Sequence, residues 1–393
     1  MAKAAILGFG TVGSGVLEVT RKNAAGLARR AGEPIAVKYI CDIRDFSSHP
    51  DAGLFVNNID PILSDPEVRV VAETIGGAKI AYYYVKSALE SGRHVVTSNK
   101  ELVATYGDEL LRIARTHGVC FLFEASVGGG TPVIKPMHEC LSANVIEEVC
   151  GVVNGTTNFM LTKMEQGMSF DEALRVAQSL GYAETIDPSA DVDGIDAQRK
   201  ACILASLAFG SHIHPQNVRA RGIRAVTVRD MELAKQLGCT VKLIACAKRG
   251  ALRPAVSVEP MLVPLQSPLG AVRDVYNSVL MRCDMLGDVV FTGQGAGKLP
   301  TASAVAADMA DALREGVSLH ETLTWSPCPP LPAGEFYDGA EPADWYVRGE
   351  GPAPAGAQAL AADAFLLRGV RPQDLAEACK AVKIENYLRL LAE

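Results

Sequence analysis

The segment ETIDPSADVDGIDAQRK, Glu184 to Lys200, gathers one glutamate, four aspartates and a lysine just ahead of the apolar stretch ACILASLAFG, Ala201 to Gly210. A lysine one turn into a buried helix and beside carboxylates has a proton affinity open to tuning by charge and desolvation. Such a group can hand a proton to a developing alkoxide, directly or through water. Around it lie the carboxylates of Glu184, Asp191 and Asp196. On spacing alone a plainer arrangement also fits. Asp193 could cap a helix with Asp196 three residues on, and Asp196–Lys200 could be an i,i+4 surface pair.

A second set of chemical residues lies at the N-terminus. KAAIL (residues 3–7) reads as a buried strand, GFGTVG runs from Gly8 to Gly13, and a helix follows with apolar Val16, Leu17, Val19, Leu27 and Ala28. G-x-G-x-x-G between a strand and a helix is the dinucleotide fingerprint. Gly8 permits the tight turn, Gly10 lets the backbone approach a pyrophosphate, and Gly13 brings helix and strand close. The amides that open the helix, at Thr11 and Val12, then face phosphate charge. The second strand, IAVKYICD, ends at Asp42. An acid there hydrogen-bonds the adenosine ribose and favours NAD, whereas Arg44 two residues later could meet a 2′-phosphate; both cofactors stay open.

Further strands follow in VRVVAETIGG (Val68 to Gly77) and HVVTSNK (His94 to Lys100). Ligands of open parallel sheets bind beyond the carboxyl ends of the strands, so Ile75, Gly76, Asn99 and Lys100 are candidates for the nicotinamide side. VCFLFEASVGGGTPVI sets Glu124 in apolar company before Gly128–Gly130. A carboxylate there needs backbone amides, a lysine or a cation. Carbonyls of SVGGGT could complete an all-oxygen cation site with it.

The elements that must hold these residues suggest more than one domain. A chain of 393 residues exceeds a single core, and 48% hydrophobic residues can fill two or three. A net charge of −7 and a pI near 5.6 argue against a nucleic-acid partner. The ten cysteines are scattered without a CxxC pair, which suits reduced, packed thiols and a cytoplasmic protein. No signal-like start and no apolar run of ~20 residues is present, so neither secretion nor a membrane span is expected. From about Met137 the pattern turns to antiparallel strands with helices, and VVNGTTNFM sets Asn154–Asn158 between a strand and a helix. A glycine-rich turn then leads to a small-residue helix from about Leu299 to Leu313. Beyond the proline-rich Ser326–Pro342, DWYVRGEG reads as a strand, AGAQALAADAFLLRG as a helix, and the remainder as a helix or helix plus strand.

Taken together, GFGTVG, TSNK at Lys100, EASVGGGTP at Glu124, VVNGTTNFM, GYAE at Glu184, ADVDGIDAQRKA and GQGAGKLPTASAVAAD resemble the homoserine dehydrogenase family, in order over residues 1 to about 325. The resemblance implies NAD(P)-dependent interconversion of L-homoserine and L-aspartate 4-semialdehyde, at the branch toward threonine and methionine. It implies Lys100 and Lys200 as active-site lysines. Glu184 and Asp196 correspond to carboxylates that contact homoserine, with Asp191 as their acidic neighbour. Glu124, Val127, Gly129 and Thr131 correspond to a monovalent-cation site for Na⁺ or K⁺, three of them through backbone oxygen. Gly181 and Gly297 correspond to positions near the cofactor.

The expected fold is α/β. A Rossmann-type doubly wound domain spans 1–136, and an α+β substrate and dimerisation domain spans 137–298. A helix at 299–325 returns to the nucleotide domain, a flexible linker covers 326–343, and a short ACT-like or degenerate ACT module covers 344–393. A homodimer or higher oligomer is implied. Two features depart from the family pattern: GYAETIDP carries one extra residue before Asp187, and the C-terminal module is short. The competing readings are another amino-acid dehydrogenase, such as one acting on aspartate, and a non-catalytic NAD(H)-binding regulator.

Overall fold

Short runs of valine, isoleucine and alanine, each running into a glycine turn or a capped helix, build the first half of the molecule. The computed structural model describes residues 1–315 and 323–391, without the side chain of Glu315. They form two units, one of Met1–Val145, Cys202–Pro215 and Gly293–Pro330, the other of Ile146–Ala201, Gln216–Thr292 and Leu331–Glu393.

In the first unit the chain runs β1 (Ala2–Leu7), α1 (Thr11–Lys22), α2 (Ala24–Ala31), β2 (Ile35–Cys41), β3 (Phe55–Val56), α3 (Asp60–Ser64), β4 (Val68–Glu73), α4 (Ala78–Glu90), β5 (His94–Thr97), α5 (Lys100–Thr116) and β6 (Phe121–Leu122). The strands lie in the order β3-β2-β1-β4-β5-β6, all parallel. This is the doubly wound order, and it reverses between β1 and β4. Ala4 to Leu7 are fully buried, as expected of a central parallel strand covered on both faces. The helix Lys298–Glu315 packs on α1 and α2. Its approach depends on Gly15, where an added Cβ would lie 2.9 Å from that of Ala302. Residues 316–322 of the expected 299–325 helix lie outside the described residues.

The second unit contains β7 (Ile146–Val152), α6 (Gly155–Glu165), α7 (Phe170–Ser179), α8 (Ser189–Val192) and α9 (Ile195–Phe209), the last running on into residues of the first unit. After these come β8 (Arg219–Ala220), α10 (Val228–Gln236), β9 (Cys239–Lys248), β10 (Ala255–Pro264), β11 (Tyr276–Cys283), β12 (Gly287–Gln294), β13 (Ala343–Glu350), β14 (Gln358–Ala361), β15 (Ala364–Val370) and β16 (Lys383–Leu390). One mixed ten-stranded sheet joins them in the order β12-β11-β7-β9-β10-β16-β13-β15-β14, with β8 on β10.

Four expectations change here. The segment read as a helix, AGAQALAADAFLLRG, is the hairpin β14–β15, because pairing with β13 outweighs the helical preference of its alanines. The proline-rich stretch is not a loose tether. Asn217 donates to the carbonyls of Leu331 and Glu335 and accepts from the Leu331 amide, and Tyr337 bonds through its backbone to Asn217 and Val256. The C-terminal strands likewise belong to the second unit, since β16 pairs in parallel with β10. Finally, Cys150 and Cys246, facing each other on β7 and β9, form a disulfide where reduced thiols were expected. They lie 96 residues apart in sequence, so only the strand pairing brings them together.

Candidate active site

The glycine turn of the first unit is built as its spacing requires. Gly8 sits at φ +86° and its amide donates to the Cys41 carbonyl. A Cβ on Gly13 would lie 2.0 Å from the Gly8 carbonyl oxygen, so only glycine lets α1 start there. Around Gly10, by contrast, an added Cβ meets nothing within 4 Å, and no side chain caps the amides of α1. A phosphate fits such an uncapped helix start. Asp42 closes the end of β2. Its carboxylate accepts from the Phe9 amide at 2.7 Å and from both the backbone and the guanidinium of Arg44. The guanidinium beside it holds the Asp42 carboxyl well below the usual carboxylate range. Asp42 and Arg44 are thus one ion pair, with Arg44 also over the Phe46 ring.

Ile75 and Gly76 follow β4, and Lys100 is the first residue of α5 with Asn99 as its N-cap. Asn99 accepts from the Leu102 amide and donates to the carbonyls of Ile75 and Gly77. One side chain therefore joins the two candidate stretches. Gly297, at φ +127°, opens the helix Lys298–Glu315.

The carboxylate of Glu124 is held differently from the cation-ligand expectation. One oxygen accepts the amides of Val133 and Ile134 at 2.6 and 3.0 Å, and the other accepts the Lys135 amide at 2.6 Å. The Glu124 amide donates to Asp308, a buried carboxyl that burial and the neighbouring Glu124 push well above its ordinary range. Burial raises Glu124 as well. Val127 and Thr131 are buried nearby, and Gly129, at φ +58°, packs against the Gly295 carbonyl, with which a Cβ would clash at 2.5 Å.

In the second unit the acidic block folds around one lysine. Lys200 is 7% exposed and Asp196 5%, so their ion pair at 2.8 Å is an interior one and the surface-pair alternative falls. The Lys200 ammonium also donates to the Val153 carbonyl at 2.7 Å, an acceptor shared with the Asn277 amide group. Asn154 donates to Asp191 at 2.7 Å and to Asp196 at 2.9 Å, and its own oxygen caps α6 at Thr157. Asn154 was legible as part of a motif but not as the bridge between two carboxylates. Asp193 turns to Arg224 instead of capping α9. Glu184 is exposed on the loop after Gly181, its carbonyl accepting from Gln178.

Comparison with known proteins decides the family. The model of the homoserine dehydrogenase family matches residues 132–310, and that of its NAD-binding domain matches residues 8–124. Homoserine dehydrogenase of Bacillus subtilis is 41% identical over 309 residues, 77% of this chain and 71% of that protein. The chain belongs to the homoserine dehydrogenase family. The Pseudomonas aeruginosa enzyme is 42% identical over 79% of this chain and 72% of its own length. Among solved structures, a homoserine dehydrogenase from Thiobacillus denitrificans superposes with a TM-score of 0.89 at 34% identity, covering 99% of this chain and 98% of that one. A hyperthermophilic archaeal homoserine dehydrogenase in complex with NADPH gives a TM-score of 0.68 at 32% identity, covering 79% of this chain and 97% of that one. The family activity is NAD(P)-dependent oxidoreduction at the CH–OH group that interconverts L-homoserine and L-aspartate 4-semialdehyde.

Proposed function

We propose that Lys200 carries the proton of this homoserine dehydrogenase reaction, with Asp196 and Asp191 held beside it to receive the substrate ammonium. The observation that carries this reading is the buried Lys200–Asp196 pair with Asn154 tying Asp191 into the same cluster. A homoserine docked by its ammonium on these carboxylates brings its terminal hydroxyl toward the lysine. When bound, the nicotinamide supplies hydride transfer, which is the chemistry the side chains lack. Lys200, and Lys100 at the head of α5, then serve the alcohol–alkoxide proton. Glu184 adds charge from its loop. Gly8, Gly10, Thr11, Val12 and Gly13 take the pyrophosphate, and Ile75, Gly76, Gly181 and Gly297 approach the cofactor. The Asp42–Arg44 pair offers an acid to a ribose hydroxyl and a guanidinium to a 2′-phosphate, which supports use of either NAD or NADP.

A Na⁺ or K⁺ at Val127, Gly129 and Thr131 would be held by backbone oxygens, with Glu124 contributing charge while its carboxylate stays on amides. The strands β16-β13-β15-β14 follow the fourth-first-third-second order of a βαββαβ unit, with a loop in place of the first helix. That order supports the reading as a shortened ACT-like module. A cytoplasmic homodimer working toward threonine and methionine completes the proposal. The test is to follow NADH and NADPH oxidation in parallel with aspartate semialdehyde and with oxaloacetate plus ammonia. Turnover with the semialdehyde is expected. Turnover only with oxaloacetate and ammonia would place the enzyme with the aspartate dehydrogenases, and cofactor binding without turnover would make it a regulator.

A further inference from the structure

We infer that Glu73, acting with Thr97, is a positioning residue of the reaction, holding the Ile75–Gly77 loop and the start of α5, and through them Lys100, in working register. The inference rests on the reading that this loop and Lys100 face the nicotinamide. Glu73 ends β4 at the switch point of the sheet and is fully buried. One of its oxygens accepts the Ile75 amide at 2.6 Å and the other accepts the Thr97 hydroxyl. That hydroxyl in turn accepts the Asn99 amide at 2.9 Å, and the Asn99 side chain returns to the Ile75 and Gly77 carbonyls at 3.1 and 2.8 Å. The contacts close a ring through Glu73, Thr97, Asn99 and Ile75. Next along the chain, the Thr74 hydroxyl donates to the Gly8 carbonyl at 2.7 Å and so ties the same rim to the glycine turn.

The ring uses an acceptor at each of two oxygens, and an ionised carboxylate supplies both with no proton of its own to place. Packing alone would be served by an amide of the same shape. Burial lifts the Glu73 carboxyl to about 7, against bonds from Thr97, the Ile75 amide and Asn99, none of which carries a charge. Once protonated, one oxygen becomes a donor. Its proton must then be placed within the ring, and the neutral group accepts from the Ile75 amide and the Thr97 hydroxyl less strongly than the anion does. The ring is therefore held more tightly above about 7 than below it.

Glu73→Gln copies the protonated shape at every pH. Its kcat for homoserine oxidation at a pH of about 8 should fall about 10–100-fold, the usual cost of sub-ångström to ångström misplacement, with the homoserine KM within about threefold. Wild-type kcat should decline as pH drops through about 7, and the variant should lack that limb. Stability should move the other way. A carboxyl whose folded pKa is raised from 4.5 to about 7 loses stability as pH rises between those values, so Glu73→Gln should melt no lower than wild type above pH 7. Thr97→Val removes the hydroxyl without touching the carboxyl and should lower kcat in the same direction, which decides the matter if Glu73→Gln does not fold. Wild-type kcat in both variants, or an unchanged pH limb in Glu73→Gln, overturns the inference. Lys100→Ala run alongside separates the two readings. Normal turnover there removes Lys100 from the proton path, while the Glu73 result still reports on the loop.

Discussion

Lys200 and Asp196 stand one helical turn apart, but what makes them a site is Asn154, 42 residues before Asp196. Its amide group lies between two carboxylates, one buried and one half-buried, that would otherwise repel each other. Asn154→Ala should therefore raise the homoserine KM about tenfold and cost about 1–3 kcal/mol, because it strips buried acceptors of their donor. Steady-state kinetics and a thermal melt check both effects; unchanged values would make the bridge incidental. The local part of this chemistry was readable in the sequence. GFGTVG states its own geometry, since Gly8 and Gly13 are required by a turn and a helix start that touch each other. The i,i+4 step from Asp196 to Lys200 was equally plain. The Asn154 bridge was not, because it exists only when the end of β7 meets α8 and α9. Glu124 shows the reverse case. Its apolar surroundings signalled a need for partners, but whether these were amides or a cation depended on the chain turning back at Val133–Lys135.

The elements are placed by side chains that cross between them. Lys242 on β9 is 1% exposed, donates to Asn158 on α6 at 2.9 Å and also donates to the Val272 carbonyl. Burial, aided by nearby Arg273, lowers its pKa to about 7. The folded state thus binds fewer protons than the unfolded chain between about 7 and 10.5, and this lysine makes stability rise with pH across that window. Lys242→Met should flatten that slope in denaturant titrations at a series of pH values; an unaltered slope would mean the ammonium stays charged in the fold. A lone lysine in the apolar pattern of CTVKLIACAK gave no hint of this in sequence, since alternation places it inward but names no partner. The C-terminal hairpin was misread for a related reason. Alanine-rich β14 and β15 carry helical propensity, yet Phe365 and Leu367 alternate into a core with Trp345 and Val347 that forms only against β13.

At the scale of the whole molecule, the last strands are part of the second unit and not an appendage. Asp230, fully buried, accepts the Tyr346 hydroxyl at 2.7 Å and the Arg348 guanidinium at 2.8 Å, both from β13. Truncation after Glu341 should leave that charge unpaired at a cost of about 3–5 kcal/mol and expose the edge of β10. A sharply lower melting temperature or aggregation is expected, and an equally stable truncated enzyme would restore the isolated-module view. The division of the chain also sets the central test. The glycine turn belongs to the first unit and the Lys200 cluster to the second, so loss of the lysine should separate turnover from cofactor binding. The direct measurement compares kcat for homoserine oxidation with calorimetric NAD(P)H affinity in wild type and Lys200→Ala. The account predicts a kcat lower by about 10²–10⁴-fold with cofactor affinity unchanged. Turnover within a few-fold of wild type would contradict it.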